Sequence, residues 1–196
     1  MYLVRDTRYA CPKKWGKIFW DYMFALALHT KLNESTVKKH FELFACLIPC
    51  ALCRCHFTYY LKSHPPPRSG MSLFRWIHTL KKKVNKRQRD NLGLKKPDLK
   101  YETAVRRHEK MNHTATIRKF CKVLANTLPR DPQSIPFEYR GERRVKPTIF
   151  RKKLAKFIRQ LTDFFKPAFF FCVHGATNRV TEREPYLNNL KTTVDS

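Results

Sequence analysis

Apolar side chains return at helical spacing through one stretch of this sequence after another, separated by short polar or proline-bearing connections. In residues 12–29 they are Trp15, Phe19, Trp20, Met23, Phe24, Ala27 and Leu28, which make one broad helical face. Asn33 or Ser35 can cap a second helix carrying Val37, Phe41, Phe44, Leu47 and Ile48. A third is expected to start near Pro49, whose missing N–H suits a first helical turn. It would point Leu52, Phe57, Tyr60 and Leu61 inward until Pro65-Pro66-Pro67 stops it. A fourth runs from about Ser72 to Lys86 on Phe74, Ile77, Leu80 and Val84. A basic loop, 87–96, and Pro97 then lead into a fifth at about 101–111. Such elements on short connections pack as a bundle of four to five helices, so the fold class is all-α.

The chain changes character after residue 112. Residues 114–127 suit a helix around Ile117, Phe120, Cys121 and Leu124, and 128–148 reads as a proline-rich linker with Pro129, Pro132, Pro136 and Pro147. Residues 148–166 are basic and amphipathic, with Leu154, Phe157, Leu161 and Phe165 among the apolar positions and Lys152, Lys153, Lys156 and Arg159 opposite. That pattern fits a helix docked on the bundle, or one that lies on a membrane surface or a partner. The expected division is a helical domain over 1–112 and a basic helical extension over 113–196.

Charge is strongly unbalanced, with 41 Lys and Arg against 15 Asp and Glu, a net charge of +26. The field of such a chain draws polyanions, so nucleic acid, an anionic surface and acidic proteins are candidate partners. The first residues are charged and form no secretory signal. The apolar run 167–173 is far shorter than the roughly 20 residues of a membrane span, so no transmembrane segment is expected. The cysteines stand at 11, 46, 50, 53, 55, 121 and 172, an odd number that argues against a closed secreted disulfide framework. An intracellular, soluble protein is therefore expected. In a reducing compartment a C-x-x-C is more often catalytic or metal-binding than a structural bridge.

That motif is Pro49-Cys50-Ala51-Leu52-Cys53. At the positive end of a helix dipole the Cys50 thiolate is stabilised and its reactivity rises. Three chemistries fit the cluster. Cys46, Cys50, Cys53, Cys55 and His56 are all zinc donors, but they are crowded into eleven residues with no second separated pair, so no metal site is assigned. Burial as small apolar groups suits Cys46 and Cys121 better than the pair at 50 and 53. Disulfide exchange remains, and a thioredoxin-like site would need the strands of an α/β pattern. A helical dithiol protein needs another electron acceptor, for which a flavin is the obvious candidate.

Several segments together resemble the Erv/ALR flavin-linked sulfhydryl oxidases, particularly the short viral members. Trp15-Gly16 with Trp20 is similar to the family's W-G-x-x-x-W opening, and Phe41, Phe44 and Leu47 lead into Pro49-Cys50-x-x-Cys53 as in its P-C-x-x-C helix pair. Arg54-Cys55-His56-Phe57 followed by Tyr60-Leu61 resembles the viral continuation. Phe74 and Trp76 precede Val84-Asn85 at the family's spacing, and Lys96-Pro97-x-Leu99-x-Tyr101-Glu102 resembles its closing segment. The resemblance covers about residues 12–110.

It implies a five-helix bundle that holds FAD against a redox-active disulfide. The implied activity is oxidation of protein thiols to disulfides, with electrons passing through FAD to oxygen to give hydrogen peroxide. Cys53 would be the flavin-proximal sulfur and Cys50 the one exchanging with substrate thiols. Trp15, Gly16, Trp20, Phe24, His56, Trp76, Lys82, Val84, Asn85, Lys96 and Tyr101 would hold the cofactor. Family members usually dimerise and use a shuttle cysteine pair outside the core; Cys11, Cys121 and Cys172 are the candidates here, and none lies in a second C-x-x-C. A viral member would act in the host cell's cytoplasm or nucleus, or in the virion.

Two departures stand out. The family's first-helix histidine is Phe24, and its H-N-x-V-N segment reads Lys81-Lys82-Lys83-Val84-Asn85. Phe24 can still pack on an isoalloxazine ring, and the lysines can pair with a pyrophosphate. The alternative is a basic protein that binds nucleic acid or a virion partner on a degenerate oxidase scaffold, through the lysine-rich 81–96 segment and the 148–166 helix.

Overall fold

The structure, a computed structural model, describes residues 12–93, 97–127 and 147–165. Among these are seven helices and no strand: α1 Pro12–His29, α2 Glu34–Leu47, α3 Ala51–Ser63, α4 Met71–Leu92, α5 Tyr101–Glu109, α6 His113–Thr127 and α7 Pro147–Phe164. The linker expected at 128–148 lies outside the described residues up to 146, as do Cys11, Lys96 and Cys172.

Local chemistry sets most of the boundaries. Asn33 caps α2, its side-chain oxygen accepting the Thr36 N–H at 2.8 Å. Ser69 ties two connections together, accepting from the Leu32 N–H at 2.6 Å and donating to the Thr30 carbonyl at 2.8 Å. The third helix begins two residues later than Pro49. Cys50 is its N-cap and Pro49 stands outside it. Leu52 consequently falls in the exposed first turn, 43% accessible, and does not point inward as its spacing suggested. The expected basic loop at 87–96 is helical as far as Leu92, because Lys, Arg and Gln are good helix formers and nothing in 81–92 breaks the run. Gly93 ends it at φ 61°, a left-handed conformation that a side chain would strain.

One hydrophobic core draws on every helix except the charged outer turns. Phe41 and Phe44 of α2, Phe57 of α3, and Phe74 and Ile77 of α4 meet Phe19, Tyr22 and Phe24 of α1. Ile117 and Phe120 of α6, with Leu154, Phe157 and Leu161 of α7, are buried in the same cluster. Helix α6 packs along α1 and α7 along α2. Tyr22 stacks on Phe120 at 4.0 Å and 11°, and His40 on Phe157 at 4.7 Å and 19°. The amphipathic 148–166 pattern therefore belongs to a docked helix, its Lys152, Lys156 and Arg159 left in solvent. A buried polar trio crosses this seam. The Tyr22 hydroxyl bonds His40 Nε2 at 2.5 Å, and His40 Nδ1 bonds Gln160 Oε1 at 2.9 Å. Because the amide oxygen only accepts, Nδ1 carries the proton and Nε2 accepts from the tyrosine. No helix of the described residues is long and apolar enough to cross a membrane.

Candidate active site

Helices α1, α3, α4 and α5 do not close on one another completely; they leave a cavity of about 700 Å³. That lies within the range of small-molecule and cofactor sites. Helical spacing on α1 brings Trp15, Gly16, Trp20 and Phe24 to one wall. Helix α3 contributes Cys53, His56 and Tyr60, and α4 contributes Lys81, Lys82, Lys83, Val84, Asn85 and Arg87. His108 of α5 lies at the Phe24 end, its ring stacked on Phe24 at 4.3 Å and 29°. Burial holds the His108 imidazole down to about 4, so it is neutral at physiological pH. Lys81 Nζ sits 5.5 Å from the centre of the Phe24 ring and 5.9 Å from that of Trp20.

The dithiol lies at this wall because α3 starts where it does. Cys50 Sγ, as the N-cap, accepts the Cys53 backbone N–H at 3.2 Å. The Cys50 thiol is lowered to about 6, first by a hydrogen bond from the Cys53 thiol, then by the Cys53 and Leu52 N–H groups and by the Arg54 guanidinium, against the opposing effect of burial. Cys53 moves the other way: it donates to the Cys50 thiolate and is desolvated, so it keeps its proton. Arg54 is held in place by donating to the Ile48 carbonyl at 3.1 Å. A reduced dithiol of this kind is one thiolate and one thiol near neutral pH. Stabilising the reduced form makes the corresponding disulfide a better oxidant.

Cavity and residues fit FAD. Flat aromatic side chains line the space beside Cys53, and four cationic groups (Lys81, Lys82, Lys83 and Arg87) gather on one wall, as a pyrophosphate requires. The Trp15 indole N–H is buried and meets no acceptor among the described residues, and Trp15 is one of the residues lining the cavity.

Of the residues assigned to a cofactor from sequence, Trp15, Gly16, Trp20, Phe24, His56, Lys82, Val84 and Asn85 line the cavity, with Cys53 among them. Two sit elsewhere. Trp76 is half-buried against the core, on Phe41 at 5.6 Å and 18°, its indole N–H donating to the His64 carbonyl at 3.0 Å. Tyr101 lines an adjoining basic cleft of about 710 Å³ that shares His78, Lys82 and Lys83 with the cavity, and the Arg75 guanidinium is 5.0 Å from its ring centre. His108, Arg87 and Gln88 line the cavity and were not singled out from sequence. The spacing of Tyr101, Ala104 and His108 was the available signal for the histidine. No group of three or more His, Cys, Asp or Glu among the described residues is arranged to hold a metal ion.

A dithiol at a helix N-terminus, opening on an aromatic and cationic cavity inside an all-helical bundle, is a narrow combination. Residues 17–108 match the sequence profile of the Erv1/Alr family. This is a family of FAD-linked sulfhydryl oxidases, and the match takes in just under half of the chain. No curated protein and no solved structure matches the chain. The matched segment runs from the second turn of α1 to His108, taking in Cys50, Cys53 and every cavity wall except Trp15 and Gly16. Helices α6 and α7 lie beyond it.

Proposed function

We propose that the protein is a FAD-linked thiol oxidase that makes disulfide bonds in proteins. The observation that carries this reading is the position of the dithiol: Cys53 is in the wall of the aromatic cavity, while Cys50 caps the helix and is not among the cavity-lining residues. In the oxidised state a substrate thiolate attacks Cys50 Sγ, the Cys50–Cys53 bond breaks, and Cys53 leaves. A second substrate thiolate then attacks the substrate sulfur of the mixed disulfide and releases Cys50 as a thiolate. Helix N-terminus and Arg54 stabilise that thiolate, which makes it a good leaving group.

FAD, when bound, supplies the acceptor for the electron pair of the Cys50–Cys53 dithiol and delivers it to dioxygen, giving hydrogen peroxide. Trp15, Trp20, Phe24 and Tyr60 would hold its ring systems, and Lys81, Lys82, Lys83 and Arg87 its phosphates. Neutral His108, stacked on Phe24, stands in this proposal for the histidine that the family carries at the Phe24 position. The viral-type assignment and a site of action in the host cytoplasm or nucleus belong to the same proposal and rest on Arg54-Cys55-His56-Phe57 with Tyr60-Leu61. The test is oxygen uptake by purified protein given dithiothreitol and FAD. Uptake that stops on Cys50→Ser is expected, and no uptake by protein saturated with FAD would remove the reading.

A further inference from the structure

Helix α7 runs antiparallel to α2. Its Gln160 bonds His40, while about two turns earlier Lys153 Nζ lies 3.3 Å from Cys46 Sγ, at the α2 end that leads into Cys50. The first half of α7 is thereby brought to the dithiol end of the bundle. Lys152 and Lys156 are exposed there, on the side of α7 turned away from the core. Arg54 stands beside Cys50 and Arg87 near Cys53. Against these there is no Asp or Glu anywhere between Glu42 and Asp90, and Glu42 is exposed one turn further from the dithiol than Cys46. On α3 itself, Leu52 is 43% and Tyr59 73% exposed, seven residues apart on one side of the helix.

We infer that the α7 lysines and Arg54 form a basic rim that selects substrates whose cysteines lie in acidic segments, with Leu52 and Tyr59 as apolar contacts beside it. This rests on the thiol-oxidase reading and goes beyond it, since it assigns the substrate class and gives the added helix a part in choosing it. The chemistry is a balanced exchange. Two substrate thiols lose two protons to solvent and two electrons to the Cys50–Cys53 disulfide, one substrate S–S bond forms and the Cys50–Cys53 bond breaks, Cys53 taking one proton back from solvent while Cys50 is left as the thiolate. Carboxylates flanking the substrate cysteines raise thiol pKa values in free solution, and the basic rim offsets that on docking while increasing the encounter rate.

The experiment uses the full chain with its Cys50–Cys53 disulfide preformed by a chemical oxidant, under anaerobic conditions, so that flavin turnover is not needed. Three synthetic peptides share one cysteine pair flanked by Glu, by Gln or by Lys, and a single turnover is followed by alkylation quench. The Glu peptide should be oxidised at least tenfold faster than the Lys peptide at low salt, with the gap closing as salt screens the rim. In the Lys152→Glu/Lys156→Glu variant, rates taken relative to dithiothreitol should lose most of that preference. Equal rates for the three peptides, or a preference untouched by the double substitution, overturn the inference whatever the oxygen-uptake result. Failure of oxygen uptake alone overturns the oxidase reading and not the rim.

Discussion

Helix α1 serves two aromatic assemblies, and they are finished in different ways. Toward α6 and α7, Tyr22, Phe120, Phe44 and Phe157 fill one another's faces, and the buried polar atoms of Tyr22, His40 and Gln160 satisfy one another. Toward α3 and α4, Trp15, Trp20 and Phe24 face a cavity, beside clustered cations and a sulfur. Ring content does not distinguish the two sides; completion does. A seam whose rings and polar groups are partnered holds the fold together, while the opposite wall leaves the Trp15 indole N–H without an acceptor among the described residues, beside the space assigned to the proposed cofactor.

This contrast can be broken by substitution. The largest effect belongs to the cavity side: Cys53→Ser should reduce dithiothreitol oxidation by about three orders of magnitude or more while leaving the urea midpoint almost unchanged. A large loss of stability there would mean that the dithiol is structural. At the seam, Phe120→Ala or Phe157→Ala should cost about 3–5 kcal/mol in urea unfolding, since each ring is fully buried among others. Trp20→Ala, at the half-buried cavity wall, should cost clearly less, and equal costs would erase the distinction drawn between the two sides.

A pH titration sharpens it further. His40 is lowered to about 4, chiefly by burial, so below the ordinary histidine value the unfolded chain binds a proton that the native chain does not. Stability should therefore be highest above pH 6.5 and fall progressively as the pH drops toward about 4. His108 adds in the same direction. His40→Leu should remove part of this slope and, because it strips the Tyr22 hydroxyl of its partner, cost about 1–3 kcal/mol at neutral pH. The smallest effect concerns Cys50. In reduced protein its alkylation rate should rise with an inflection near pH 6, and Arg54→Ala should move that inflection upward by a fraction of a unit. An inflection at the ordinary thiol value would contradict the N-cap geometry.

The helical class was legible because each apolar stripe has a period that needs no knowledge of its partner. Cys50 and Cys53 were legible for the same reason: spacing and a preceding proline are local facts. What failed was whatever depends on distant neighbours or on the end of a stripe. Trp76 is assigned to a cofactor by resemblance, but only the fold decides that it packs on Phe41 and Tyr60 and is not among the cavity-lining residues. His108 lies in a helix that looks polar, and its burial comes from Phe24, far away in sequence. Beyond Lys86 the apolar period ends because α4 runs past the core, and a continuing helix without a buried face looks like a loop. Leu52 reads as inward because a first-turn position has the same spacing as an interior one.

The central claim is that the Cys50–Cys53 dithiol and a bound flavin share one cavity. It is tested most directly by the visible absorption spectrum of the purified, FAD-reconstituted protein while dithiothreitol is added without oxygen. The flavin band should be present at about one cofactor per chain and should bleach in the wild type, while Cys53→Ser keeps the band and resists bleaching. Protein that takes up no FAD, or a bound flavin that bleaches equally well in Cys53→Ser, would contradict the account.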